Sequence, residues 1–70
     1  MRLVLWRRVW IEFGGRSYCG SYAVEDDGLL IVRTPFESKA TQLRGSPAIS
    51  LARILLKELA ANGNAKAAPG

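Results

Sequence analysis

Apolar residues are interspersed with polar ones in two runs of strand character, residues 5–13 and 16–24, and Gly14-Gly15 separates them. A two-residue Gly-Gly loop is a natural hairpin turn, because both central positions can take positive φ. It also predicts the pairing. Phe13 falls opposite Arg16, Ile11 opposite Tyr18, Val9 opposite Gly20, Arg7 opposite Tyr22 and Leu5 opposite Val24. Side chains change face with period two, so these pairs share one face, and it is mostly apolar. The other face carries Glu12 with Ser17, Trp10 with Cys19, Arg8 with Ser21, and Trp6 with Ala23. It is polar apart from the two indoles. Neither strand alone decides which side is buried; the paired register assigns the first face to the core.

Asp26-Asp27-Gly28 supplies the second turn. A three-residue loop ending in Gly pairs Val24 with Leu30, Tyr22 with Val32 and Ser21 with Arg33. Leu30, Val32 and Phe36 then join the core face, while Ile31 and Arg33 join Arg8 and the Trp residues outside. A two-residue loop would turn Arg33 inward beside Tyr22, so the loop that buries no charge is preferred.

Thr34-Pro35 ends the third strand, since Pro cannot donate to a ladder. Residues 36–43 are ambiguous: Thr41 and Leu43 suit a short fourth strand, and Glu37-Ser38-Lys39 suits a loop equally well. Gly45-Ser46-Pro47 is a helix start, with Ser46 as the cap and Pro47 in the first helical position. Asn62-Gly63 is the matching stop. Between them Ala48, Leu51, Ala52, Leu55, Leu56 and Leu59 form an apolar stripe with Ile49 at its margin, opposite Ser50, Arg53 and Lys57. Ile54 projects to the polar side and is a candidate dimer contact. Residues 64–70 show no periodicity and read as a disordered tail.

The predicted fold is therefore α+β: an antiparallel meander of three strands, or four, with one C-terminal helix on one face. Residues 1–63 form a single domain. A chain of 70 residues buries only about 60% of its unfolded surface, which favours a homodimer. An apolar content of 49% argues against disorder.

The net charge of +4 suits an acidic partner such as nucleic acid. Arg2, Arg7, Arg8 and Arg16 crowd the first hairpin, yet Glu25, Asp26 and Asp27 make an acidic tip that interrupts any continuous phosphate-tracking surface. The apolar run Leu3-Val4-Leu5-Trp6 stops at Arg7-Arg8, too short for a signal peptide, and nothing approaches a membrane span. The single cysteine, Cys19, precludes an intrachain disulfide. The expected location is the cytoplasm.

Chemistry is hard to find. There is no histidine, the usual general base and the commonest metal ligand. One cysteine and no histidine cannot build a standard zinc set. Cys19, beside Trp10 on a strand, lacks a His partner and is read as packing. Asp26 and Asp27 are what the turn needs. The glycines form no nucleotide-binding fingerprint, and Arg44 with the helix N-terminus offers an anion site only as any capped helix does. No catalytic residue, metal ligand, cofactor or small-molecule substrate is assigned, and the chain is expected not to be an enzyme.

The candidate binding surface is Trp6, Arg8, Trp10, Ser21, Ile31 and Arg33. Trp and Arg are the residues most enriched at interface hot spots, so self-association or protein contact is the first reading. Nucleic-acid binding is the alternative, with Arg8 and Arg33 on phosphates and the indoles on bases. Three strands followed by a helix also resemble the element order of AP2-type and integrase amino-terminal DNA-binding modules, which bind DNA through a sheet face rich in Arg and Trp. No sequence motif of those families is present, so no residue roles carry over. A third reading is local packing: the indoles serve as shelves for Arg8, or a later segment folds over them.

Overall fold

A computed structural model describes residues 5–67. Arg2 of the basic cluster and the last three residues of the expected tail lie outside these. The first hairpin consists of β1 (Arg7–Phe13) and β2 (Arg16–Val24). It pairs in the predicted register, from Arg7 with Tyr22 to Phe13 with Arg16. Gly14 and Gly15 take φ of 59° and 78°, the left-handed pair that matches the twist of the flanking strands. The second turn has the three-residue form. The Glu25 N–H donates to the Leu29 carbonyl at 2.9 Å, and the Gly28 N–H donates to the Glu25 carbonyl at 2.9 Å. β3 (Leu29–Arg33) accordingly pairs Val24 with Leu30, Tyr22 with Val32 and Ser21 with Arg33.

A fourth strand is present. β4 (Ser38–Gln42) pairs antiparallel with β3, giving the order β1-β2-β3-β4. It lies between the third strand and the helix, so the element order departs from that of the DNA-binding modules named above. Its helix-facing residues are Lys39 and Thr41, paired with Val32 and Leu30. Lys39 Nζ reaches Glu58 Oε1 of the following helix at 2.7 Å.

The helix α1 (Ala48–Ala61) lies on the face that carries Val9, Leu30 and Val32, and it buries Ala52, Leu55, Leu56, Leu59 and Ala60. Burying each leucine contributes about 1.5–3 kcal/mol. Ala48, Ile49 and Leu51 pack at the margin, as the stripe predicts. Gly20 lets the two layers approach: a Cβ there would stand 3.2 Å from Leu56 Cδ1 and 3.0 Å from the Arg33 carbonyl oxygen.

Three residues expected in the core lie outside it. Phe36 is 62% exposed, because it sits at the tip of the turn after Pro35, where strand alternation has ended. Leu5 precedes the first paired residue, and Val24 is the last residue of β2, so the helix covers neither. Conversely, Ala23 is buried although it belongs to the outer face. It pairs with Ile31, and the register continued by one residue sets Trp6 on its other side.

The helix also starts one residue later than its signal implied. Pro47 is the extended N-cap residue, with ψ of 133°, and no side chain caps the free amides, so Ser46 does not perform that role. The stop is as expected. The Gly63 N–H donates to the Ala60 carbonyl at 3.0 Å and the Asn64 N–H to the Leu59 carbonyl at 2.7 Å, the paired bonds of a Schellman end.

Residues 64–67 are not a frayed tail. After the helix the chain returns as β5 (Lys66–Ala67), which pairs with Tyr18 and Cys19 of β2 where β3 has ended. Thr34 holds this return. Its hydroxyl donates to the Asn64 carbonyl at 2.6 Å and accepts from the Phe36 and Glu37 N–H groups, both at 3.2 Å. Asn64 Nδ2 donates to Glu37 Oε2 at 2.7 Å. One hydroxyl thus ties the β3–β4 turn to the segment after the helix. Thr34→Val removes it from a site only 8% exposed and is expected to cost about 1–3 kcal/mol. Urea denaturation checks this: the midpoint should fall for Thr34→Val and largely recover in Thr34→Ser, and an unchanged Thr34→Val midpoint would contradict the role.

Candidate functional site

The outer face of the sheet is built from cross-strand rows. Ala23, Ile31 and Ala40 form an apolar row that Trp6 extends. Arg8, Ser21, Arg33 and Ser38 form a polar, basic row, and Trp10, Cys19 and Lys66 form a third. Every residue of the predicted surface except Ile54 therefore lies on this one face. They do not act together.

Arg33 leaves its row and lies over the Trp6 ring, 4.3 Å from the centroid. One face of Trp6 is thereby occupied, and such a contact is worth about 0.5–1 kcal/mol at an exposed site. Local packing accounts for this pair, with Arg33 as the cation rather than Arg8. Ile31, half-buried in the apolar row, belongs to the same packing.

Arg8, Ser21 and Arg33 line a hollow of about 300 Å³ with Cys19, Gly20, Thr34 and Pro35. No carboxylate is among the lining residues; Arg8 and Ser21 border it, together with Arg33, whose guanidinium lies on Trp6, and Thr34, whose hydroxyl donates to Asn64.

Trp10 is different. It is 55% exposed, and among the described residues no cation lies over its ring. The described residues of the returning segment, 64–67, do not cover it, because β5 joins the sheet on the far side of β2. At the β1 edge an open groove of about 380 Å³ is bordered by Trp10, Ile11 and Glu12 of β1 and by Arg53, Ile54 and Lys57 of α1; Ile11 is on the helix-facing side, and Trp10 and Glu12 border it from the edge of the outer face. Ile54 is 52% exposed. The two exposed apolar residues assigned to different elements thus line one groove, flanked by one acid and two bases.

Backbone polarity adds to this groove. β1 is the first strand of the sheet order, so among the described residues its far edge has no strand partner. Phe13 and Arg16 flank a two-residue turn and form a hydrogen-bonded pair. Alternation then directs the N–H and C=O of Ile11, Val9 and Arg7 toward β2, and those of Arg8, Trp10 and Glu12 outward. The opposite edge, β4, is shorter and carries Ser38, Lys39, Thr41 and Gln42, the kind of edge that resists pairing.

Sequence reasoning did not single out Ile11 and Glu12 of β1 as neighbours of Arg53, Ile54 and Lys57 of the helix. Their meeting depends on where the helix crosses the sheet, which no local pattern encodes. Among the described residues no group of three His, Cys, Asp or Glu is placed to hold a metal ion, and no helix is long and apolar enough to cross a membrane. No family model matches the chain, and no curated protein and no solved structure matches it either.

Proposed function

We propose that this chain is a small non-catalytic association module that forms a homodimer through the groove between β1 and α1. The observation that carries this reading is that Trp10 of the outer face and Ile54 of the helix, each more than half exposed, border one groove along a β1 edge that has no strand partner among the described residues. A seven-residue edge strand with Val9, Trp10 and Ile11 at its middle offers its outward amides and carbonyls for pairing, and a tryptophan at the centre of a contact is the usual hot spot. A small core gives the chain reason to bury more apolar surface. Ile54→Asp tests the reading. Ile54 contributes nothing to the buried core, so the variant should fold with an unchanged melting temperature. Its dimer dissociation constant should rise at least about thirtyfold, read by light scattering at matched concentrations. Association equal to the native chain would remove the groove from the contact.

Nucleic-acid binding is supported by a different observation, the hollow that holds Arg8, Arg33 and Ser21 without a carboxylate. Against it stands the occupied face of Trp6. Titration of a labelled single-stranded oligonucleotide at two salt concentrations decides between them: saturable binding that weakens steeply with salt favours this second reading, and no binding at low salt eliminates it.

A further inference from the structure

Resting on the self-association reading, we propose how the second copy docks: the open edges of two β1 strands pair antiparallel about a two-fold axis, with Trp10 opposite the partner's Trp10. The backbone restricts the choices. Only Arg8, Trp10 and Glu12 direct their amide and carbonyl groups outward, so an even-numbered residue must meet an even-numbered one. Centring on Arg8 or Glu12 would set that charge against its own copy, which leaves three registers near the middle of the strand.

Centring on Val9 sets Arg8 against the partner's Trp10 and Trp6 against the partner's Glu12. Centring on Ile11 sets Trp10 against the partner's Glu12 and Arg8 against the partner's Gly14. Centring on Trp10 sets Arg8 against the partner's Glu12, and by symmetry Glu12 against the partner's Arg8. Of the three, this register alone places opposite charges across the junction, and it does so twice. On the helix-facing side it sets Val9 against the partner's Ile11 and Arg7 against the partner's Phe13, the second a cation beside an aromatic ring. Trp6 comes opposite the partner's Gly14, which leaves room for the indole.

A two-fold axis perpendicular to the sheet keeps both helices on the same face of the joined sheet. Ile54 of each copy then points across the groove toward the partner's helix. The two arginines of β1 acquire a role in this arrangement. In a parallel or shifted pairing they meet no carboxylate, so Arg8 and Glu12 select one register as well as stabilising it.

Charge reversal provides the test. Arg8 and Glu12 are both exposed, so neither substitution disturbs the core, and far-ultraviolet circular dichroism confirms that each variant folds. Arg8→Glu sets like charges against each other twice per dimer, and so does Glu12→Arg. Each should raise the dimer dissociation constant at least about thirtyfold in sedimentation equilibrium. The double variant, Arg8→Glu with Glu12→Arg, restores opposite charges and should return within about threefold of the native value. A native dimer that neither single reversal weakens overturns the edge pairing and leaves the association reading standing. Single reversals that weaken the dimer without recovery in the double variant also overturn this register. A native chain that is monomeric at every concentration overturns the association reading itself, and the edge pairing with it.

Discussion

Leu56→Asp is expected to leave the chain without a cooperative melting transition. Leu56 is fully buried, in a cluster with Val9, Leu30, Val32, Ala52, Leu55 and Leu59. Shortening it already costs about 2–5 kcal/mol in lost burial and cavity formation. The carboxylate adds a desolvation penalty inside a cluster of apolar side chains. The total stability of a chain this size is roughly 4–10 kcal/mol, so the sum of these costs reaches or exceeds it. Circular dichroism at increasing temperature reads the outcome. A sigmoidal melt within a few degrees of the native one would mean that the helix does not rest on the sheet through Leu56.

The second large effect is expected at Gly20. Gly20→Val should lower the melting temperature by about 10–20 °C, corresponding to a loss of about 2–3 kcal/mol. Two opposing terms decide the sign. Glycine is a poor strand residue, and valine would regain up to about 1 kcal/mol of strand preference. Space works the other way. The Cβ alone would stand 3.0 Å from the Arg33 carbonyl oxygen, 3.2 Å from Leu56 Cδ1 and 3.5 Å from Thr34 Cγ2. The first contact is backbone in the neighbouring strand and cannot turn aside, and valine adds two further methyls. Overpacking therefore outweighs propensity. A melting temperature equal to or above the native value would show that the layers are looser at this point than the contacts imply.

These two residues also show what was legible in the sequence and what was not. The first hairpin could be read because Gly14-Gly15 admits only a tight turn, which fixes every pair that follows. The second could be read because the alternative loop would have buried Arg33. The leucine stripe announced the helix and its covered face. β4 was ambiguous for a physical reason: its core-facing positions are Lys39 and Thr41, polar residues that leave no apolar alternation. β5 left no signal at all, because hydrogen bonds from Thr34 and the end of the helix hold the preceding residues, and among the described residues after the helix only Ala65 packs against the core. The displayed surface was legible face by face, since alternation alone puts Trp6, Arg8 and Trp10 together. Its division was not. That Arg33 takes Trp6, while Trp10 joins Ile54 at the edge, follows from the path of the helix and from side-chain choices made only in three dimensions.

Sedimentation equilibrium over a dilution series, with tryptophan emission followed on the same samples, tests the central claim most directly. The expected result is a dimer with blue-shifted emission that reddens as dilution releases Trp10 to solvent. A chain that stays monomeric across the series, with red and quencher-accessible emission throughout, would contradict assembly at the β1 edge.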